Sequence, residues 1–171
     1  MVQHDFLSLT RAPAEALVRL ATSGEPPVIE ELAGWEYRGW LAAGSLPGPV
    51  MRKHRKGFYR LARRGRLGGY NIPCHAGPPH APWVDRLRGP GSWRLGWFLV
   101  APGTRALLLD YSREDRAPRL SPIRGLREHL VQVTAGDPTL LVSTIEVVAG
   151  RQVRRLGTGI YERHTRSPLG I

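Results

Sequence analysis

The chain is poor in three things, and each absence narrows what it can be. Cysteine occurs once, at Cys74, so no internal disulfide can form and a reducing compartment fits. Lysine occurs only at Lys53 and Lys56, and every other basic side chain is arginine, although the formal net charge is +11. Apolar runs are short: none approaches the roughly 20 residues of a membrane-spanning helix. The opening residues also lack the basic and then apolar regions of a secretory signal. The expectation is a soluble, cytoplasmic protein. The motifs G-x-S-x-G, H-E-x-x-H, the P-loop and G-x-G-x-x-G are missing as well, which removes the best-marked hydrolase, metalloprotease and nucleotide-binding classes.

What is present is punctuation. The 20 glycines and 15 prolines are dispersed along 171 residues, a pattern of many short elements joined by tight turns within one domain. The positive charge invites a nucleic-acid or anionic-membrane partner. Arginine in place of lysine, with much Ala, Gly and Pro, is also the mark of GC-rich coding, so the charge supports such a partner only modestly.

Residues 5–23 read as an amphipathic helix, with Thr10 as a cap, Pro13 in its first turn and Gly24 as its stop. A helical turn at 27–32 follows, and residues 1–33 are expected to plug or cover the entrance of the domain. In residues 32–40, LAGWEYRGW, aromatic side chains alternate with charged ones or glycine, the period-2 pattern of a half-buried strand. Further strands are expected over residues 57–61, 68–74, 92–100, 106–111, 128–134, 140–148 and 153–164. A Pro- and Gly-rich loop is expected over 75–90, around Trp83, and a polar connection over 113–124. Helix at the N-terminus only, then about eight short strands, predicts an all-β fold: an antiparallel up-and-down barrel over 34–164 with a tail at 165–171.

With the strands laid out, the chain resembles uncharacterised bacterial barrels of the lipocalin-like (calycin, nitrobindin-like) type. The resemblance rests on Leu32-x-Gly34 opening the first strand, with Tyr37-Arg38-Gly39 inside it, and on residues 159–164, GIYERH, in the last. It rests also on residues 107–111, LLLDY, and 126–133, LREHLVQV. Trp35 directly follows Gly34, where the lipocalin pattern has its aromatic two residues on. The resemblance implies a barrel with an interior site, and haem as a minority possibility through one of His54, His75, His80, His129 or His164. Otherwise no cofactor is expected.

Three functional readings follow. In the first, an intracellular barrel binds a small hydrophobic or amphipathic molecule, with an anionic head as an option. Trp35, Tyr37, Trp93 and Trp97 would form its wall, Arg38 or Arg163 would offer charge, and His129 a polar contact. The first reading of Arg163 is structural, stacking across the barrel end on Trp35, with binding of a carboxylate inside the cavity as its functional alternative. In the second, a cofactor-free lyase or isomerase uses Tyr37, Arg38 and Glu146 to polarise and protonate a substrate. In the third, the basic segment 51–66 binds nucleic acid through Arg52, Lys53, Arg55 and Lys56, with Phe58 and Tyr59 stacking on bases. Cys74, His75 and His80 match no zinc spacing, so no metal site is expected. The pair Gly157 and Gly159 inside a strand marks a place where the sheet bends or another backbone comes close.

Overall fold

The computed structural model describes residues 4–45, 51–61, 66–86, 94–112 and 122–169. Three short helices come first: α1 (Phe6–Thr10), α2 (Ala14–Ser23) and α3 (Ile29–Leu32). Eight strands follow: β1 (Trp35–Leu41), β2 (Lys53–Arg60), β3 (Leu67–Pro73), β4 (Leu95–Ala101), β5 (Leu107–Asp110), β6 (Leu126–Thr134), β7 (Asp137–Ala149) and β8 (Gln152–Arg166). They pair in sequence order, each antiparallel to the next, and β8 returns to β1 to close a barrel. Closure leaves no sheet edge along the paired lengths.

Residues directly opposite across a ladder share a face, so the register identifies the inner wall. Tyr37 faces Lys56, Lys56 faces Asn71, and Gly69 faces Phe98. Leu109 faces Glu128, Leu130 faces Ser143, and Tyr161 faces both Leu141 and Gly39. Tyr37, Phe58, Phe98, Leu109, Leu130, Leu141 and Tyr161 form one buried cluster. Phe58 meets Tyr37 and Phe98 edge to face, at centroid distances of 5.6 and 5.7 Å, the arrangement that aromatic quadrupoles favour. Glycine makes the room. A Cβ on Gly69 would run into the Phe98 ring and stand 2.7 Å from the Gly57 carbonyl. These side chains pack on one another inside the barrel.

The N-terminal helices are where sequence reading and structure part. Residues 5–23 are two helices broken before Pro13. Asp5, not Thr10, caps the first, accepting from Ser8 N at 2.8 Å in a capping box. The Thr10 hydroxyl instead donates to Leu7 O. Neither helix plugs an entrance. Phe6, Leu9, Leu17 and Ala21 pack on Trp40, Val131, Val142 and Ile160, the outward face of β1, β6, β7 and β8. Those outward positions are apolar, so burying them under an amphipathic helix removes them from water. α3 does close one barrel end: Leu32 and Ala33 join the inner cluster, and Gly34 N donates to Phe58 O.

Other differences are smaller. β2 begins at Lys53, four residues before the expected strand, and β6 and β7 also start earlier. β8 continues to Arg166, and Ser167 N donates to Gly34 O, so the expected tail begins as part of the barrel. The loop after β3 is held to the wall rather than free. His75 N donates to Val84 O, Arg86 N to Pro73 O, and Trp83 packs edge-on against Phe6. Residues 46–50 and 87–93, much of the 113–124 connection and the turn at 63–65 lie outside the described residues.

Candidate functional site

Polar groups gather in the inner wall toward the end that carries the β1–β2 and β3–β4 connections. Lys56, only 1% exposed, puts Nζ 2.7 Å from Glu128 Oε2 and 3.0 Å from Tyr111 OH. Tyr111 also donates to Glu128 Oε2 at 3.1 Å, and Ser143 Oγ donates to Oε1 at 2.7 Å. The ammonium lies 4.8, 5.6 and 5.0 Å from the ring centroids of Phe98, Tyr111 and Tyr161. These rings form a cage that compensates part of its lost hydration.

Burial pulls the Lys56 pKa down, but Glu128 and Tyr111 outweigh it and leave it raised. Burial pushes Glu128 up, and Lys56 and its hydrogen bonds outweigh that and hold it low. Both groups therefore stay charged at neutral pH. Burial raises Tyr111 to about 12. Lys56, Tyr111 and Ser143 all donate to the Glu128 carboxylate, which the Lys56 charge holds ionised. The cluster is an anchor rather than a general base.

His54 sits beside it. Its Nδ1 lies 2.8 Å from Met51 O, which can only accept, so Nδ1 carries the proton. Burial, then the Lys56 charge, lowers its pKa to about 4. Tyr161 meets the imidazole edge to face at 5.7 Å.

A cavity of about 720 Å³ opens at the same end. That volume lies within the range of small-molecule sites. Residues 40–45 leaving β1 form one wall and residues 74–79 leaving β3 the other, with Arg52 and Lys53 between them. Trp40, Leu41, Ala42, Pro78 and Pro79 make the lining mostly apolar. The second wall is fixed by Lys53: its Nζ donates to Pro78 O, Ala81 O and Pro82 O at 3.2, 3.0 and 3.1 Å, using all three ammonium hydrogens. Arg52 is exposed, its guanidinium 4.9 Å over the Trp40 ring. On the first wall, Ser45 Oγ accepts from Thr158 N, and a Cβ on Gly157 would strike Ser45. Gly157 is thus the point of close backbone approach that its spacing suggested. Cys74 is buried, and burial raises its thiol to about 11, which keeps it protonated.

The residues singled out in the sequence are not gathered here. Tyr37 faces inward opposite Lys56, but its hydroxyl turns to the start of β7, donating to Pro138 O at 2.8 Å. Trp35 lies beneath Arg163 and Arg166, with guanidinium carbons 4.8 and 3.7 Å from its ring, so Arg163 does stack across the barrel end. Trp97 is on the outside, against Tyr59 and Tyr70. Arg38 is also outside, over Phe6 and ion-paired with Glu162. His129 pairs with Glu146 on the outer face, 3.4 Å apart. Tyr37, Arg38 and Glu146 therefore do not meet, because strand alternation sends the first inward and the other two outward. Trp93 lies outside the described residues.

The basic segment is largely spent inside the protein. Lys53 staples a loop, Lys56 and Phe58 face the interior, and Tyr59 is buried against Trp97. Arg55 binds Glu36 at 2.8 Å and both Asp85 oxygens at 2.6 and 2.7 Å. Of the six residues assigned to nucleic acid, only Arg52 is an exposed side chain. Among the described residues no three His, Cys, Asp or Glu side chains converge on a metal position. His75, His80 and His164 are exposed.

The alternation held a usable signal for the missed residues. Phe58 is an obvious inward residue, and His54 and Lys56 share its parity. Glu128 likewise shares parity with Leu130, and Tyr111 with Leu107 and Leu109. The chain matches no protein-family profile, no curated protein and no solved structure.

Proposed function

We propose that this is a lipocalin-like barrel that binds a small amphipathic anion at its loop-bearing end. The ligand's apolar body lies against Trp40, Leu41, Pro78 and Pro79, and its carboxylate or similar head meets Arg52. The observation that carries this reading is the 720 Å³ apolar-lined cavity with one exposed arginine positioned at its rim. Lys53 is not the anion's partner, since its donors are already used. The inner Lys56–Glu128 cluster holds the wall beneath and takes no part in binding.

The test is native mass spectrometry on freshly purified protein, followed by titration with straight-chain carboxylates of 8–16 carbons. Trp40 lines the cavity, so saturable tryptophan quenching is expected, with stoichiometry of one. A clean apo mass together with no saturable quenching by any carboxylate defeats the reading.

A further inference from the structure

The β7–β8 hairpin extends past the barrel. β6 last pairs with β7 at Leu126 opposite Val147, and β1 last pairs with β8 at Leu41 opposite Gly159. β7 and β8 pair with each other through Glu146 opposite Arg155, Val147 opposite Arg154, Val148 opposite Val153 and Ala149 opposite Gln152. Glu146 and Val147 still pair with Arg127 and Leu126 of β6, so the two-stranded tip runs from Val148 to Val153, with Arg154 and Arg155 at its base on the β8 side. The two residue pairs of the free tip rise roughly 7 Å at strand spacing, and the Gly150-Arg151 turn lies beyond them. Residues 149–155 are all exposed. A strand inside a barrel wall alternates, so exposure of successive residues means that both ribbon faces meet water.

The geometry points to a duplex DNA-binding ribbon, with the phosphates held by Arg151, Arg154 and Arg155. Arg154 and Arg155 are neighbours on one strand and so point to opposite faces, and Arg151 stands at the turn. The three charges thus surround the ribbon rather than paving one side of it. A two-stranded ribbon fits the major groove of B-DNA, about 12 Å wide. There, arginines on both faces reach both phosphate backbones. Guanidinium forks suit phosphate oxygens. Glu146 is the nearest acidic residue in the ribbon, opposite Arg155, and it already neighbours His129.

Residues 147–158 contain no aromatic side chain, which removes the stacking platform of a single-strand binder and the anchors of a membrane-surface element. Val153, 56% exposed, is the one large apolar side chain shown at the tip. The deep, narrow major groove of A-form RNA does not admit such a ribbon. This surface is separate from the ligand cavity and does not depend on what fills it.

The experiment is fluorescence anisotropy of a labelled 24-base-pair mixed-sequence DNA duplex between 50 and 200 mM KCl. The wild type is compared with Arg151→Gln/Arg154→Gln/Arg155→Gln, whose substitutions are all at exposed positions. Circular dichroism and the thermal midpoint confirm an unchanged fold. Each arginine that neutralises one phosphate adds about 0.9 to the log–log salt slope, so the triple variant should lose between about 2 and 3. Binding that the variant retains unchanged, or no duplex binding at 50 mM, overturns the proposal. So does tighter binding to the matching single strand, or binding confined to phosphatidylglycerol vesicles.

Discussion

Lys56 Nζ and Glu128 Oε2 meet 2.7 Å apart inside the barrel, joining β2 to β6 across strands that are not neighbours in the sheet. Breaking a buried pair leaves one uncompensated charge in low dielectric, typically worth about 3–5 kcal/mol, whereas replacing both partners by apolar groups is far less damaging. Lys56→Met and Glu128→Leu should each lower urea-unfolding stability by several kcal/mol at pH 7. The double variant Lys56→Met/Glu128→Leu should lose clearly less than the sum of the singles. Additive losses under about 1 kcal/mol each would show that the pair anchors nothing.

His54 gives a pH signature. Its folded pKa, about 4, lies below the ordinary 6.5, so the unfolded chain binds the proton more readily. The stability it contributes is fully present above pH 6.5 and is lost as pH falls toward 4, by up to about 3 kcal/mol. Glu128, also held low, adds its own loss only below its unfolded value of 4.5. His54→Asn keeps a donor for Met51 O and cannot titrate, so urea midpoints from pH 7 to 5 should become nearly flat. An unchanged slope in that variant would mean that other groups set the acid sensitivity.

The architecture was legible because its signals are local. Glycines, Asp137-Pro138 and alternating apolar residues mark turns and strands whatever the tertiary context, and about eight such strands make an antiparallel barrel the economical topology. Arg163 over Trp35 was legible too, since first and last strands must meet in a barrel. The site was not. Lys56 stands in MRKHRKGFYR among like charges, and only the inward parity of Phe58 separates it from its neighbours. Trp97 looked like a wall residue because both faces of β4 are apolar. Its outward face is buried against Tyr59 and Tyr70, a contact no periodicity reports. The outer apolar positions of β1, β6, β7 and β8 likewise make sense only once α1 and α2 lie on them.

Lys53 holds the cavity's second wall through three carbonyls. Lys53→Met removes all three bonds while keeping the apolar stem beside Trp83. Limited proteolysis should then cut within residues 75–86 at least several-fold faster than in the wild type, with the barrel intact. Equal cleavage rates would show that the loop is held by its other contacts.

The central claim is that an amphipathic anion occupies the cavity between residues 40–45 and 74–79. It is tested most directly by titrating dodecanoate and dodecyltrimethylammonium against the wild type, Arg52→Glu and Ala76→Trp, following tryptophan emission. The wild type should prefer the carboxylate, Arg52→Glu should reverse that preference, and Ala76→Trp, which fills an exposed part of the lining, should weaken both. Dodecanoate affinity unmoved by either substitution would place the ligand elsewhere and contradict the account.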